Sequence, residues 1–217
     1  SMGTIVKAVF QGSQDPAFGV ISPNLEGYTN PKPYFDPDGA KKALAASTYK
    51  TADAIPPITI AVGTNLPEYI KVSEAIQQMW KDVLGVTITV KTYDKATDPI
   101  HDAAQILRTS LGTLVNDTSA AVSAMGLSSS DYMKNNVGAK NDQLDQLLGK
   151  ADSLPLEQQS QRIDLYRQGE QIIMDQAYYI PIIWVQYYFA VKPWVNNFAT
   201  NTDLSLYNLP QMSLAKH

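Results

Sequence analysis

The segment Ile58 to Tyr93 limits the fold of this chain more than any other. In it, two stretches of period-two alternation flank one with a period of about 3.6 residues. Ile58, Ile60 and Val62 alternate with Thr59 and Ala61, and Val86, Ile88 and Val90 alternate with Thr87 and Thr89. Each stretch predicts a strand with one well-buried face. Between them Tyr69, Val72, Ile76, Met79, Trp80 and Val83 recur every three or four residues, a stripe wide enough to cover a sheet. Asn65, three residues before Glu68, predicts a reciprocal N-cap; Pro67 suits the first turn and Gly85 the end. Strands joined through a helix of this length are most simply parallel neighbours. The unit therefore predicts an α/β (α+β) fold, a mixed sheet with flanking helices.

A chain of 217 residues, 44% of them apolar, can bury a proper core. The 17 Lys and Arg against 21 Asp and Glu leave a net charge of −4, and no basic run exists that would neutralise a phosphate backbone, which argues against nucleic acid as a partner. The absence of cysteine removes disulfides, thiolate metal sites and cysteine nucleophiles together. No stretch approaches the ~18–20 continuous apolar residues of a membrane helix, and no charged-then-apolar leader opens the chain. Ser1 to Gly3 read as a tag remnant, and Thr4 to Phe10 as a helix entered without a cap, so the sequence reads as excised from a longer protein.

Glycines and prolines from Gly12 to Pro31 forbid long helices and predict a loop wrapped over a surface, pinned by Phe18, Val20, Ile21, Leu25 and Tyr28. Asp36 followed by Pro37 predicts the start of a short helix with Ala40, Ala43 and Leu44 inward. Gln105 to Leu111 reads as extended, and Gly112 to Thr118 as a strand end turning into a loop. Ser119 to Met125 reads as a short helix capped by Thr118 or Ser119, and Gly126 to Lys140 as a surface loop. Two helices follow. Asn141 caps the first, which buries Leu144, Leu147, Leu148 and Ala151; Ser153 and Pro155 open the second, with the stripe Ile163, Tyr166, Glu170, Ile173, Met174 and Ala177. Glu170 reads as a boundary carboxylate paired with Arg167 or water. Ile180 to Val191 is β-prone and almost uncharged, so burial is expected.

Sites of chemistry are scarce. His101 and His217 are the only histidines, and no G-x-S-x-G elbow, P-loop or dinucleotide-binding glycine pattern occurs. No metal or cofactor is expected. Loop aspartates such as Asp36, Asp94, Asp98, Asp102 and Asp117 read as caps and turn residues; an independent α/β hydrolase- or transferase-like domain using them with His101 is the alternative function.

Several blocks together carry a resemblance: Tyr34-Phe-Asp-Pro-Asp-Gly-Ala-Lys-Lys-Ala-Leu44, Ile58-Thr-Ile-Ala-Val62, Ala75-Ile-Gln-Gln-Met-Trp-Lys-Asp-Val-Leu-Gly-Val86, Arg162-Ile-Asp-Leu-Tyr166 and Tyr179-Ile-Pro-Ile-Ile-Trp184. The chain resembles the family 5 extracellular solute-binding proteins, the oligopeptide- and dipeptide-binding receptors of ABC importers. The resemblance implies one lobe of a two-lobed periplasmic-binding-protein-like (type II) fold. Residues 4–185 would be the C-terminal lobe, and 186–217 a closing segment that returns to a missing N-terminal lobe. It implies no enzymatic activity. The protein would be exported, as a periplasmic or cell-surface lipoprotein of a bacterium, with an ABC permease as membrane partner.

In peptide-binding relatives the strand and loop matching Arg108 to Thr118 face the cleft. The resemblance thus nominates Arg108, Leu111, Gly112, Thr113, Leu114, Asn116, Asp117 and Trp184 as solute-binding. Leu111 stands where relatives carry Trp, and Leu114 where they carry the Asp that holds a peptide's amino terminus. The solute is expected to be an oligopeptide or peptide-like molecule, with a sugar, an opine or a nickel complex left open. An unpaired Ile180 to Val191 strand would also offer an edge for dimerisation.

Overall fold

The computed structural model describes residues 1–31, 35–95, 104–112, 115–198 and 212–216. They form two compact units, Ser1–Phe18 with Lys32–Ser110, and Gly19–Pro31 with Leu111–His217.

The first unit is built on the strand, helix, strand element. Strands β1 (Ile58–Gly63) and β2 (Ile88–Tyr93) are parallel neighbours in register from Ile58 opposite Ile88 to Gly63 opposite Tyr93. A third strand, β3 (Ile106–Leu107), lies parallel on the other side of β1, giving the order β2-β1-β3. Helix α3 (Pro67–Leu84) covers one face. Ile60, Val62, Val86 and Ile88 are buried there against Leu66, Tyr69, Ile70, Ile76, Trp80 and Leu84, while Met79 and Val83 are only half-buried. Gly85 ends the helix with φ 73°, its amide donating to the carbonyls of Lys81 and Trp80, a left-handed position that glycine takes at no steric cost.

The expected Asn65 cap is not made. Leu66 is the N-cap residue and Pro67 the first helical residue. Asn65 therefore lies one residue outside the helix, and Pro67 takes the first helical position, where its missing N–H costs nothing. Helix α2 (Pro37–Ala46) starts as expected, with the Asp36 carboxylate accepting the Gly39 amide at 2.7 Å, but of its supposed inner face Leu44 packs on the core and Ala43 is exposed. Helix α1 (Met2–Phe10) includes the residues read as a tag remnant, and Ser1 supplies its cap, Oγ accepting the Thr4 amide at 3.4 Å. Phe10 meets the Tyr69 ring edge-on, with centroids 5.8 Å apart.

Among the described residues the second unit is mainly helical. Helices α4 (Ser119–Gly126), α5 (Asp142–Ser153) and α6 (Gln159–Asp175) enclose a core of Val122, Leu144, Leu148, Ala151, Ile163, Tyr166 and Ile173. Two glycines permit this closeness: a Cβ on Gly169 would lie 2.7 Å from Leu148 Cδ2, and one on Gly126 2.6 Å from Leu148 Cδ1. Val20, Ile21 and Leu25 of the 19–31 strap join the same core, as their apolar spacing predicts. Asn141 caps α5, accepting the Leu144 amide at 3.0 Å.

Four local expectations are corrected in this unit. Thr118 precedes α4 but its hydroxyl donates to the Glu26 carbonyl, and Asp117 Oδ1 takes the Ser119 amide instead, at 2.8 Å. Within the supposed loop after α4, Met133–Val137 forms a wide helical turn and Met133 is fully buried. Ser153 closes α5, with Oγ donating to the Lys150 carbonyl, and a 3-10 turn at Leu156–Gln158 leads into α6. The run from Ile180 to Val191 is not buried: only Ile183–Trp184 is strand, Val185 to Val191 are exposed, and Tyr188 reaches 72% exposure. A β-prone run becomes a buried strand only where a sheet edge or an apolar face receives it.

Candidate functional site

Parallel strands carry their backbones in one direction, so the residues just past their carboxyl ends gather at one sheet edge, where ligands of open α/β sheets commonly bind. In the first unit β1 ends at Gly63, β2 at Tyr93 and β3 at Leu107, and the next residues are Thr64, Asp94 and Arg108. The Thr64 amide donates to the Tyr93 carbonyl at 3.0 Å, and its hydroxyl to Asp94 Oδ1 at 2.7 Å. The Arg108 amide donates to the Ala61 carbonyl at 3.1 Å, extending the β3 pairing by one bond. Register then puts Arg108 on the α3 face, its guanidinium 4.2 Å from the Tyr69 ring centroid. Arg108 Nε is buried and, among the described residues, has no hydrogen-bond partner. A cation stacked on a ring with an unpaired buried N–H is suited to receive an anionic group.

The remaining nominated residues belong to the second unit. Leu111 packs against the helical core, whereas Gly112 and Asn116 are exposed. Thr113 and Leu114 lie outside the described residues. Asp117 is already engaged: besides the Ser119 amide it faces Arg162 Nη2 at 3.6 Å. Partial burial would raise its carboxyl, but the hydrogen bonds from Ser119 and the Arg162 charge outweigh that and hold it below the usual range. Trp184 is half-buried in its two-residue strand.

Sequence reasoning missed Tyr69 as a partner of Arg108 and Arg162 as a partner of Asp117. Tyr69 stood out only as part of an apolar stripe, and Arg162 only within a resemblance block. The enzyme alternative gains no support from the described carboxylates, since Asp36 caps a helix, Asp94 accepts the Thr64 hydroxyl and Asp117 accepts the Ser119 amide. His101, Asp98 and Asp102 lie outside the described residues.

The family model for the bacterial extracellular solute-binding proteins, family 5 (middle), matches residues 3–134. The chain belongs to that family. Its curated relatives include the oligopeptide-binding protein OppA of Bacillus subtilis, 27% identical over 206 residues, which cover 89% of this chain and 36% of the relative. The probable deoxycholate-binding periplasmic protein YgiS of Escherichia coli is 30% identical over 200 residues, 86% of this chain and 36% of the relative. The chain thus spans 36% of the length of each. Among solved structures, the murein tripeptide binding protein MppA of Escherichia coli superposes with a TM-score of 0.78 at 23% identity, over 99% of this chain and 43% of that one. The Haemophilus influenzae OppA complex with RPPGFSPFR superposes at 0.72 and 18% identity, over 100% and 43%. These likenesses show the fold, α/β as in the type II periplasmic binding proteins. The family is one of extracellular binding proteins.

Proposed function

We propose that this chain is the C-terminal lobe of an exported receptor that closes around a peptide-like solute and delivers it to an ABC permease in the membrane. In this reading the protein is periplasmic or a cell-surface lipoprotein. Residues 4–185 form the lobe, and 186–217 return to an N-terminal lobe. The residues proposed to bind solute are Arg108 in the first unit and Leu111, Gly112, Thr113, Leu114, Asn116, Asp117 and Trp184 in the second.

The observation that carries this reading is Arg108, a half-buried cation at the carboxyl edge of a parallel sheet, stacked on Tyr69 and with its Nε unpaired among the described residues. It receives a carboxylate of the solute. The family membership and the peptides named for several relatives support the class of cargo. The exposed apolar run from Val185 to Val191 supports a covering first lobe, since contiguous exposed apolar side chains mark an interaction surface.

Closure of two lobes is a population shift driven by contacts made only when both engage, so one lobe by itself binds weakly. The test is a thermal-shift and calorimetric screen of the full-length protein, with this chain in parallel, against di- to pentapeptides, sugars and metal chelates. Stabilisation of the full-length protein alone by peptides supports the reading. No response to any solute, with turnover of a substrate by this chain, overturns it. Size-exclusion chromatography separates covering by a first lobe from dimerisation through the exposed run.

A further inference from the structure

Helix α6 carries polar side chains at Gln159, Arg162, Tyr166 and Glu170, spaced three or four residues apart and hence close to one face, with Arg167 beside Tyr166. Every one of them is tied to something outside α6. Gln159 Nε2 donates to Glu26 Oε2 at 2.7 Å, Arg167 Nε to the Gly27 carbonyl at 3.0 Å, and Glu170 Oε1 accepts the amides of Val20 and Ile21 at 2.7 and 2.8 Å. These bonds hold the strap. Arg162 does something different.

Arg162 is only 7% exposed. Its Nε donates to the Ala151 carbonyl at 3.4 Å, Nη1 to Gln159 Oε1 at 3.0 Å and Nη2 to the Tyr166 hydroxyl at 3.1 Å, with Asp117 Oδ1 3.6 Å from Nη2. The Tyr166 hydroxyl in turn donates to Asp152 Oδ1 at 2.7 Å, an oxygen that also accepts the Ser123 hydroxyl at 2.9 Å. The guanidinium is therefore fixed by α5 and α6 before Asp117 is counted, because a planar fork held by three partners has little freedom left. Asp117 adds itself to a preformed cation. Its Oδ1 also holds the Ser119 amide at the start of α4, so one carboxylate oxygen joins the end of the nominated solute-binding segment to both a helix start and the buried cluster.

We infer that Arg162 is a positioning residue for solute capture, which fixes Val115 to Ser119 through Asp117 while lying too deep to touch the solute itself. This rests on the proposed receptor function. The segment carries exposed Val115 and Asn116, and without the ion pair its tie to the α5–α6 cluster is lost while Thr118 still bonds the strap.

The test is a double-mutant cycle of Arg162→Met and Asp117→Asn, read by amide exchange in this chain and by binding of trialanine to the full-length protein. Each single variant is expected to speed exchange of residues 115–119 by about tenfold or more relative to α5 and α6, and the double variant to add little, because both remove one interaction. Arg162→Met is expected to weaken trialanine binding in proportion to the local loosening, and to have no further effect in the Asp117→Asn background. Exchange that rises uniformly over the unit, stays unchanged at 115–119, or adds across the two variants overturns the inference. Should Arg162→Met fail to fold, Asp117→Asn and Asp117→Ser carry the exchange test, since both leave the helical core intact. A wild-type protein that binds neither trialanine nor any other peptide refutes the receptor reading, while the exchange arm still decides whether Arg162 positions the segment.

Discussion

The Arg108 guanidinium lies 4.2 Å from the centroid of the Tyr69 ring, and Tyr69 is itself buttressed by Phe10 at 5.8 Å. A cation just past a strand end thus sits over a ring in the first turn of the covering helix. Tyr69→Leu keeps apolar bulk but removes the ring face, worth ~0.5–2 kcal/mol to a stacked cation. In the full-length protein it should weaken binding of a carboxylate-bearing solute by about 2- to 30-fold, and Arg108→Ala should weaken it more. Calorimetric titration checks this. Unchanged affinity with reduced stability would make the stack a packing contact only.

Glu170 was expected to pair with Arg167 or water, and instead accepts the consecutive amides of Val20 and Ile21. Glu170→Ala leaves two strap amides without their acceptor and should lower stability by about 1–3 kcal/mol. Glu170→Gln keeps an acceptor oxygen and should cost less. Urea unfolding of both variants orders them; equal losses would show that a neutral acceptor oxygen does not replace the carboxylate, so that the charge carries the contact.

Two glycines in neighbouring helices should respond with opposite sign. Gly169→Ala places a methyl group 2.7 Å from Leu148 Cδ2 and 3.3 Å from Val122 Cγ1, so overpacking should cost about 1–3 kcal/mol. Gly149→Ala, exposed on α5 with nothing within 4 Å of the added Cβ, should stabilise by up to about 1 kcal/mol through helix propensity. Thermal melts of the pair decide.

Burial, with the hydrogen bond to Asp152, pushes the Tyr166 hydroxyl up to about 12 from its ordinary 10.0, and burial pushes Tyr179 up to about 12 as well. A folded-state pKa above the unfolded one means that the unfolded chain loses its proton first. The stability from these groups is therefore present below pH about 10 and declines as pH rises towards 12. Tyr166→Phe should flatten that decline. Unfolding curves between pH 9 and 11.5, with tyrosinate absorbance recorded alongside, provide the check; an unaltered slope would contradict it.

Much of the α/β element was legible because its signals are local. Alternation, the Gly85 stop, and the Asp36 and Asn141 caps each act within a few residues, and each appears in the fold as expected. The Asn65 cap failed on an equally local point, because the helix begins one residue later with Pro67 at its first position. Serine suits a helix start, but it also suits a helix end, and at Ser153 the hydroxyl bonds back to a carbonyl three residues earlier.

What the sequence alone determined is the parallel strand, helix, strand unit, the helices after Asn141, and membership of a binding-protein family through blocks spread over the chain. Only tertiary structure decided which polar groups meet. Glu170 finds amides 149 and 150 residues away, and Arg162 pairs with Asp117 although Asp164 and Asp152 lie closer to it in sequence. Periodicity reports which face of an element is buried, because burial repeats with the turn of the helix or the pleat of the strand. The partner of a buried charge depends on how separate elements stack, and a single charged residue leaves no repeating trace of that in the chain.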